Sequence, residues 1–234
     1  MLERPAILLS CEHGGNRVPG EYQGLFADAQ PLLDSHRGYD IGILPLAQEL
    51  ARKLGAPLVA SDVTRLLVDL NRSKGHPRLF SELTRHLPKP QREQLLHDHY
   101  LPYRKSVRHK LEKLVAGDGA VIHLSVHSFT PELDGRVREV DIGLLYDSRR
   151  PAEVEFCGLW REQLKAALPQ LRIRRNLPYR GSSDGLVTDL RKDFTAQQYL
   201  GIELEVNQAL PLSGGPRWQL VQRELVETLK ELLE

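Results

Sequence analysis

Short apolar runs recur along this chain, and most stretches between them carry apolar residues at helical spacing. Runs at 5–11, 56–60, 66–70, 120–128, 140–146, 171–175 and 201–206 predict strands, each a short aliphatic block bounded by turn-forming or charged residues. Between them, 40–54 sets Ile43, Leu44, Ala47, Leu50, Ala51 and Leu54 on one helical face and stops at Gly55. The segment 151–168 repeats the pattern with Val154, Phe156, Cys157, Trp160, Leu164 and Ala167, and 216–234 is a closing amphipathic helix. A long polar stretch, 91–115, predicts a helix that Pro102 kinks or restarts. Residues 74–90 and 129–138 read as loops. Strands interleaved with helices predict one α/β domain over 1–234, three layers deep, around a mostly parallel or mixed central sheet.

The same alternation sorts the polar groups. In 120–128 it puts His123, Ser125 and His127 on one face and Ile122, Leu124 and Val126 on the other. His127 therefore reaches the C-terminal end of its strand, where open α/β sheets bind ligands. In 201–206, Glu203 and Glu205 share a face, and two carboxylates on a central strand are costly to bury without partners. The run 5–11 breaks into Glu12-His13-Gly14-Gly15-Asn16, so a second histidine sits where a strand ends, followed by glycines that permit a tight turn. Asp40 falls in the first turn of the predicted 40–54 helix, where the helix dipole favours a carboxylate. Asn71-Arg72 closes the 66–70 run, and a planar guanidinium beside a neutral donor suits a substrate carboxylate. The turn Asn176-Leu177-Pro178-Tyr179-Arg180-Gly181 adds donors for an anion. His97 and His99, two apart on a helix, point to different sides and read as surface residues.

Composition narrows the partners. With 234 residues and 41% hydrophobic content the chain can bury a core. Lys+Arg of 32 against Asp+Glu of 31 leaves a formal charge of +1, so no global field favours nucleic acid or an anionic membrane, and a small molecule is the expected partner. Cys11 and Cys157 cannot make a disulfide framework, and Cys11 sits inside a predicted core strand, which points to a reducing compartment. The charged start at 1–5 and the lack of an apolar run of about 20 residues predict neither signal peptide nor transmembrane helix, so a cytoplasmic location is expected. Ser128 beside His127 and Cys11 near His13 raise a nucleophilic hydrolase, but no Gly-x-Ser-x-Gly elbow is present. A Rossmann glycine fingerprint and a P-loop are also lacking.

Taken together, Cys11 to Asn16, His36-Arg37-Gly38-Tyr39-Asp40-Ile41-Gly42, Arg65-Leu66-Leu67-Val68-Asp69-Leu70-Asn71-Arg72, His127-Ser128 and the 176–181 turn resemble the N-formylglutamate amidohydrolase family. The Asp-Leu-Asn-Arg element is also similar to one in aspartoacylases and succinylglutamate desuccinylases, zinc enzymes of the carboxypeptidase-like (phosphorylase/hydrolase-like) fold. The resemblance implies one Zn²⁺ per chain held by two histidines and a carboxylate, with His13, His127 and Asp40 as ligands and Glu12 as the alternative acid. It implies Glu205 as general base with Glu203 able to substitute. Arg65, Asn71, Arg72, Asn176, Tyr179 and Arg180 are the residues it assigns to the substrate's carboxylates and the developing oxyanion. The implied reaction is hydrolysis of the N-acyl amide of an acidic amino acid such as N-formyl-L-glutamate, a step in histidine degradation, giving formate and glutamate. Glu12-His13-Gly14-Gly15 departs from the Pro-His-Ser-Gly pattern of better-known members, so amide hydrolysis near a carboxylate is the broader expectation.

Overall fold

The computed structural model describes residues 5–117 and 119–233; the charged segment 1–4 and the last residue of the expected closing helix lie outside them. In chain order the described elements are β1 (Ala6–Cys11), a tight 3-10 segment (Gly20–Phe26), α1 (Gln30–Leu33), α2 (Ile43–Leu54), β2 (Leu58–Ala60) and α3 (Lys89–Leu95). A wide turn (Leu96–Tyr100) leads into α4 (Leu101–Val115), then β3 (Val121–Phe129) and a small hairpin of β4 (Glu132–Leu133) and β5 (Arg136–Val137). The chain continues through β6 (Ile142–Leu145), α5 (Pro151–Ala167), β7 (Ile173–Arg175), α6 (Leu186–Leu190), β8 (Tyr199–Asn207), α7 (Ala209–Ser213) and α8 (Gly215–Leu233).

Six strands form one sheet in the order β2-β1-β3-β8-β6-β7. The first four run parallel, while β6 runs antiparallel to β8 and carries β7 parallel to itself, so the sheet is mixed. Every residue of β3 is buried, as expected of a strand covered on both faces. On one face Leu9, Leu124, Val126, Ile202 and Leu204 pack with the apolar stripes of α2, α5 and α8. On the other, Leu8, Val121 and Tyr199 pack against Tyr103, Val107 and Leu111 of α4 and Leu186 and Leu190 of α6. The predicted three-layer α/β domain is what the chain forms. No helix among the described residues is long and apolar enough to cross a membrane.

Four local expectations are corrected. Residues 66–70 are not a strand: Leu66, Leu67, Val68 and Leu70 are buried, but their backbone follows turns, with Leu67 N bonded to Thr64 O at 3.1 Å and Asp69 N to Leu79 O at 2.8 Å. An apolar run threading a buried loop has the composition of a strand without its partner. The 40–54 helix begins only at Ile43, because Gly42 turns the backbone into the left-handed region (φ 77°), so Asp40 lies before the helix. The 91–115 helix begins at Lys89 and runs on without a break, its one irregularity being the wider turn Leu96–Tyr100 just before Pro102, which loosens the hydrogen-bond ladder next to the residue that lacks an N–H. Finally, the 129–138 loop contains the β4–β5 hairpin.

Candidate active site

Strands β1, β3 and β8 end at a common rim, and the register between them aligns the polar residues. Ser125 pairs with Ser10 on one side and Glu203 on the other, and His127 pairs with Glu205. Two residues beyond β1, His13 turns inward, its carbonyl accepting the Asp40 amide at 2.9 Å. That bond, with the turn at Gly42, carries Asp40 to the rim. His13, Asp40 and His127 are 1%, 3% and 3% exposed, and their ligand-type atoms lie within 4.8 Å of one another, an arrangement of the kind that holds a metal ion.

The free nitrogen of each ring can be read from its other partner. His13 Nε2 donates to Asp69 Oδ1 at 2.8 Å, which leaves His13 Nδ1 buried without a hydrogen-bond partner, 3.6 Å from Asp40 Oδ2. His127 Nδ1 meets the same Asp40 oxygen at 2.9 Å, while His127 Nε2 lies 2.9 Å from both Glu12 Oε2 and Ser125 Oγ. Two Nδ1 atoms and one carboxylate oxygen therefore converge. A carboxylate behind each imidazole is the usual outer support of histidine ligands. Charge points the same way. Three carboxylates, Glu12, Asp40 and Asp69, are buried around the two rings, and one guanidinium, Arg65, reaches two of them, Asp40 at 3.3 Å and Asp69 at 2.8 Å. With both imidazoles neutral, as metal ligands are, two negative charges are left over, and each uncompensated buried charge costs several kcal/mol. A divalent cation on the three converging atoms would balance them, so the residues present fit a metal.

Protonation follows from these contacts. Burial raises a carboxyl pKa, yet hydrogen bonds from His127 and Ser125 outweigh it at Glu12 and hold it ionised. Burial likewise opposes ionisation of Asp40 and Asp69, but His13, His127 and Arg65 keep both well below the carboxylate range. Burial would depress His127; its bonds to Asp40 and Glu12 instead hold it well above the ordinary imidazole value. Glu205 has no such help. Its Oε2 is buried with no partner, and burial pushes its pKa up to about 8, with Glu203 raised for the same reason.

The remaining sequence candidates divide. Asn71 donates toward Glu203 Oε1 and lies 3.3 Å from His127 Nε2, and its Oδ1 accepts the Leu186 amide at 2.6 Å, so both ends of its amide are engaged within the fold. Arg72 donates to Asp184 O at 2.9 Å and keeps a buried Nε without a partner. Asn176 Oδ1 accepts the amides of Tyr146 and Gly181, which builds the loop and occupies the acceptor end of its side chain. Tyr179 is partly exposed and accepts a bond from Arg138 Nη1 at 2.8 Å; Arg180 is exposed. Arg138, which no sequence motif marks, stacks over Phe129 and Tyr179, 5.6 and 5.0 Å from their ring centroids. Asp69 supports His13 without a periodic signal in the sequence, since an acid one residue before Leu70-Asn71-Arg72 stands out only as part of that motif. The nucleophile alternatives point elsewhere. Ser128 donates to Ile41 O, and burial pushes the Cys11 thiol up, away from thiolate.

The 176–181 loop forms a wall beside Glu205. Gly143, paired with Glu205, lies under it so closely that a Cβ there would meet the Leu177 carbonyl oxygen at 2.1 Å.

Fold and site define an α/β protein with a buried His–Asp–His cluster at the C-terminal rim of a mixed sheet. Residues 6–212 match the family model described as N-formylglutamate amidohydrolase, and the chain belongs to that family. It is 27% identical over 163 residues to the N-formylglutamate deformylase of Pseudomonas aeruginosa, a match covering 60% of this chain and 59% of that protein, under two thirds of its length. A solved gene product of Agrobacterium tumefaciens is 26% identical with a TM-score of 0.81, covering 99% of this chain and 93% of its own. The N-formylglutamate amidohydrolase of Ralstonia eutropha shares the fold at 17% identity and a TM-score of 0.69, covering 99% and 95%.

Proposed function

We propose that this chain is a zinc-dependent amidohydrolase that removes the N-formyl group from N-formyl-L-glutamate or a closely similar N-acyl acidic amino acid. The observation that carries this reading is the convergence of His13 Nδ1, His127 Nδ1 and Asp40 Oδ2 beside a carboxyl, Glu205, that has no other buried partner. A Zn²⁺ held by those three atoms would supply Lewis-acid polarisation of the acyl oxygen and activation of a water.

The chain's own residues supply the rest. Glu205 accepts the proton of the attacking water and returns it to the departing amide nitrogen, so that formate and the free amino acid leave. Left at about 8, Glu205 would be mostly protonated at neutral pH, and a cation held by His13, Asp40 and His127 would favour its ionised, proton-accepting form. Glu203, one alternation earlier on the same face, shares that environment. Asp69 holds the His13 ring with its Nδ1 facing inward. Arg72, Tyr179, Arg180 and the stacked Arg138 are the groups left to receive the substrate's carboxylates, and forked guanidinium contacts suit them.

The test is hydrolysis of N-formyl-L-glutamate by purified protein, by the same protein after chelator treatment, and after addition of Zn²⁺. Activity lost and then restored is the expected result. Unchanged activity in a sample verified to be metal-free would overturn the metal assignment, and an inactive zinc-loaded sample would overturn the substrate.

A further inference from the structure

Glu12 is a carboxylate with 0% exposure that faces no arginine or lysine within ion-pair distance among the described residues; its charged neighbour is His127. Its Oε1 accepts the Tyr103 hydroxyl at 2.8 Å, and its Oε2 accepts Ser125 Oγ at 2.6 Å and lies 2.9 Å from His127 Nε2. Both oxygens are thus committed on the side of the His127 ring away from Asp40, which removes Glu12 as a ligand. Three elements meet there: the end of β1, the middle of β3 and the first turn of α4, whose Tyr103 follows Pro102. An ionised group so deep in the fold is expensive unless matched to donors. Here all three donors are matched to it, and one of them is an imidazole N–H.

We propose that Glu12, held by Tyr103 and Ser125, is the positioning residue that fixes the His127 tautomer and ring orientation, so that Nδ1 is presented to the metal. This rests on the metal reading above. A neutral imidazole carries one proton on either nitrogen, and the ring can turn about its χ angles. Fastening Nε2–H to a buried anion removes both freedoms and makes Nδ1 a stronger donor. Asp69 serves His13 in the same geometry, but from a loop that also binds Arg65. Glu12 belongs to His127 alone among cationic groups, and its second oxygen is anchored to α4, so the metal site is tied to the helical layer through one hydroxyl.

The experiment is Zn²⁺ affinity by competition with a chromogenic chelator, for wild type, Glu12→Gln, Tyr103→Phe and Ser125→Ala. The melting temperature of each metal-stripped form and the visible spectrum of each Co²⁺-loaded form are recorded alongside. Glu12→Gln keeps the size and one acceptor oxygen but removes the charge and the second acceptor, and an affinity loss of about 10- to 100-fold is expected, with an altered Co²⁺ spectrum. Tyr103→Phe and Ser125→Ala leave Glu12 in place and should weaken Zn²⁺ binding several-fold in the same direction, which keeps the test valid if Glu12→Gln does not fold. Folded variants with wild-type Zn²⁺ affinity and an unchanged Co²⁺ spectrum would overturn the inference. A wild-type protein that binds no Zn²⁺ would overturn the metal site itself and this role with it.

Discussion

Strand β3 carries two histidines on one face, four residues apart and both buried, and they are opposite in character. His127, near the strand's C-terminal end, lies between Asp40 and Glu12 and is pushed toward the cation. His123, in the middle of the sheet, meets the hydroxyls of Tyr199 and Ser10 at 2.8 Å each, and burial drops its pKa to about 4. Residue type and burial are shared; position along the strand differs. At the rim, loops can bring acids to a histidine, as β1 does with Glu12 and the 38–42 turn does with Asp40. In the middle, the neighbouring strands β1 and β8 can offer only what their own alternation places there, here two hydroxyl groups.

The largest effect that would break this contrast comes from His127→Gln. Loss of a converging nitrogen should abolish tight Zn²⁺ binding and lower kcat/KM for N-formyl-L-glutamate by about three orders of magnitude or more, the equivalent of several kcal/mol of charge stabilisation. Metal analysis and kinetics on the same sample check it, and a variant with wild-type zinc content and rate would remove His127 from the centre. Next comes Glu205→Gln, which should retain the metal while turnover drops by about two to four orders of magnitude. Near-normal turnover would move the proton transfer to Glu203.

A substitution at the other histidine should act on stability and leave chemistry alone. His123→Leu strands two buried hydroxyls and is expected to cost about 1–3 kcal/mol in denaturant unfolding, with kcat close to wild type in the folded fraction. A collapse of kcat in folded protein would show that the two histidines are not functionally separate. The smallest effect, per pH unit, is in pH dependence. As pH falls from about 6.5 toward 4, the unfolded chain takes up a proton at His123 that the folded chain refuses, so stability declines, by at most about 1.4 kcal/mol per pH unit. Comparing unfolding free energies over that window, His123→Gln should show a shallower decline than wild type. Equal slopes would mean that His123 titrates alike in both states.

Much of this arrangement is legible in the sequence because strands have a period of two. The alternation in 120–128 and 201–206 predicts one face carrying His127 and Glu205, and the observed register pairs those two residues directly. Asp40 is visible as an acid near a helix start, but not the turn at Gly42 that places it before the helix. Residues 66–70 mislead because burial on all sides looks the same in a loop as in a central strand. The supports are harder to read. Asp69, Tyr103 and Ser125 act through contacts 56, 91 and 113 positions away in the chain, and no local pattern encodes a hydrogen bond across such separations. Glu12, too, is assigned by which side of the His127 ring it occupies, and that depends on how β1 docks against β3.

The bare backbone at Gly143 has its own consequence. With the Leu177 carbonyl resting directly on it, the clearance between the 176–181 loop and the sheet is set by main-chain thickness, a dimension that no rotamer can adjust. Beside Glu205 the spacing between loop and sheet is therefore set by peptide alone, and any side chain at position 143 would have to displace the loop to be accommodated.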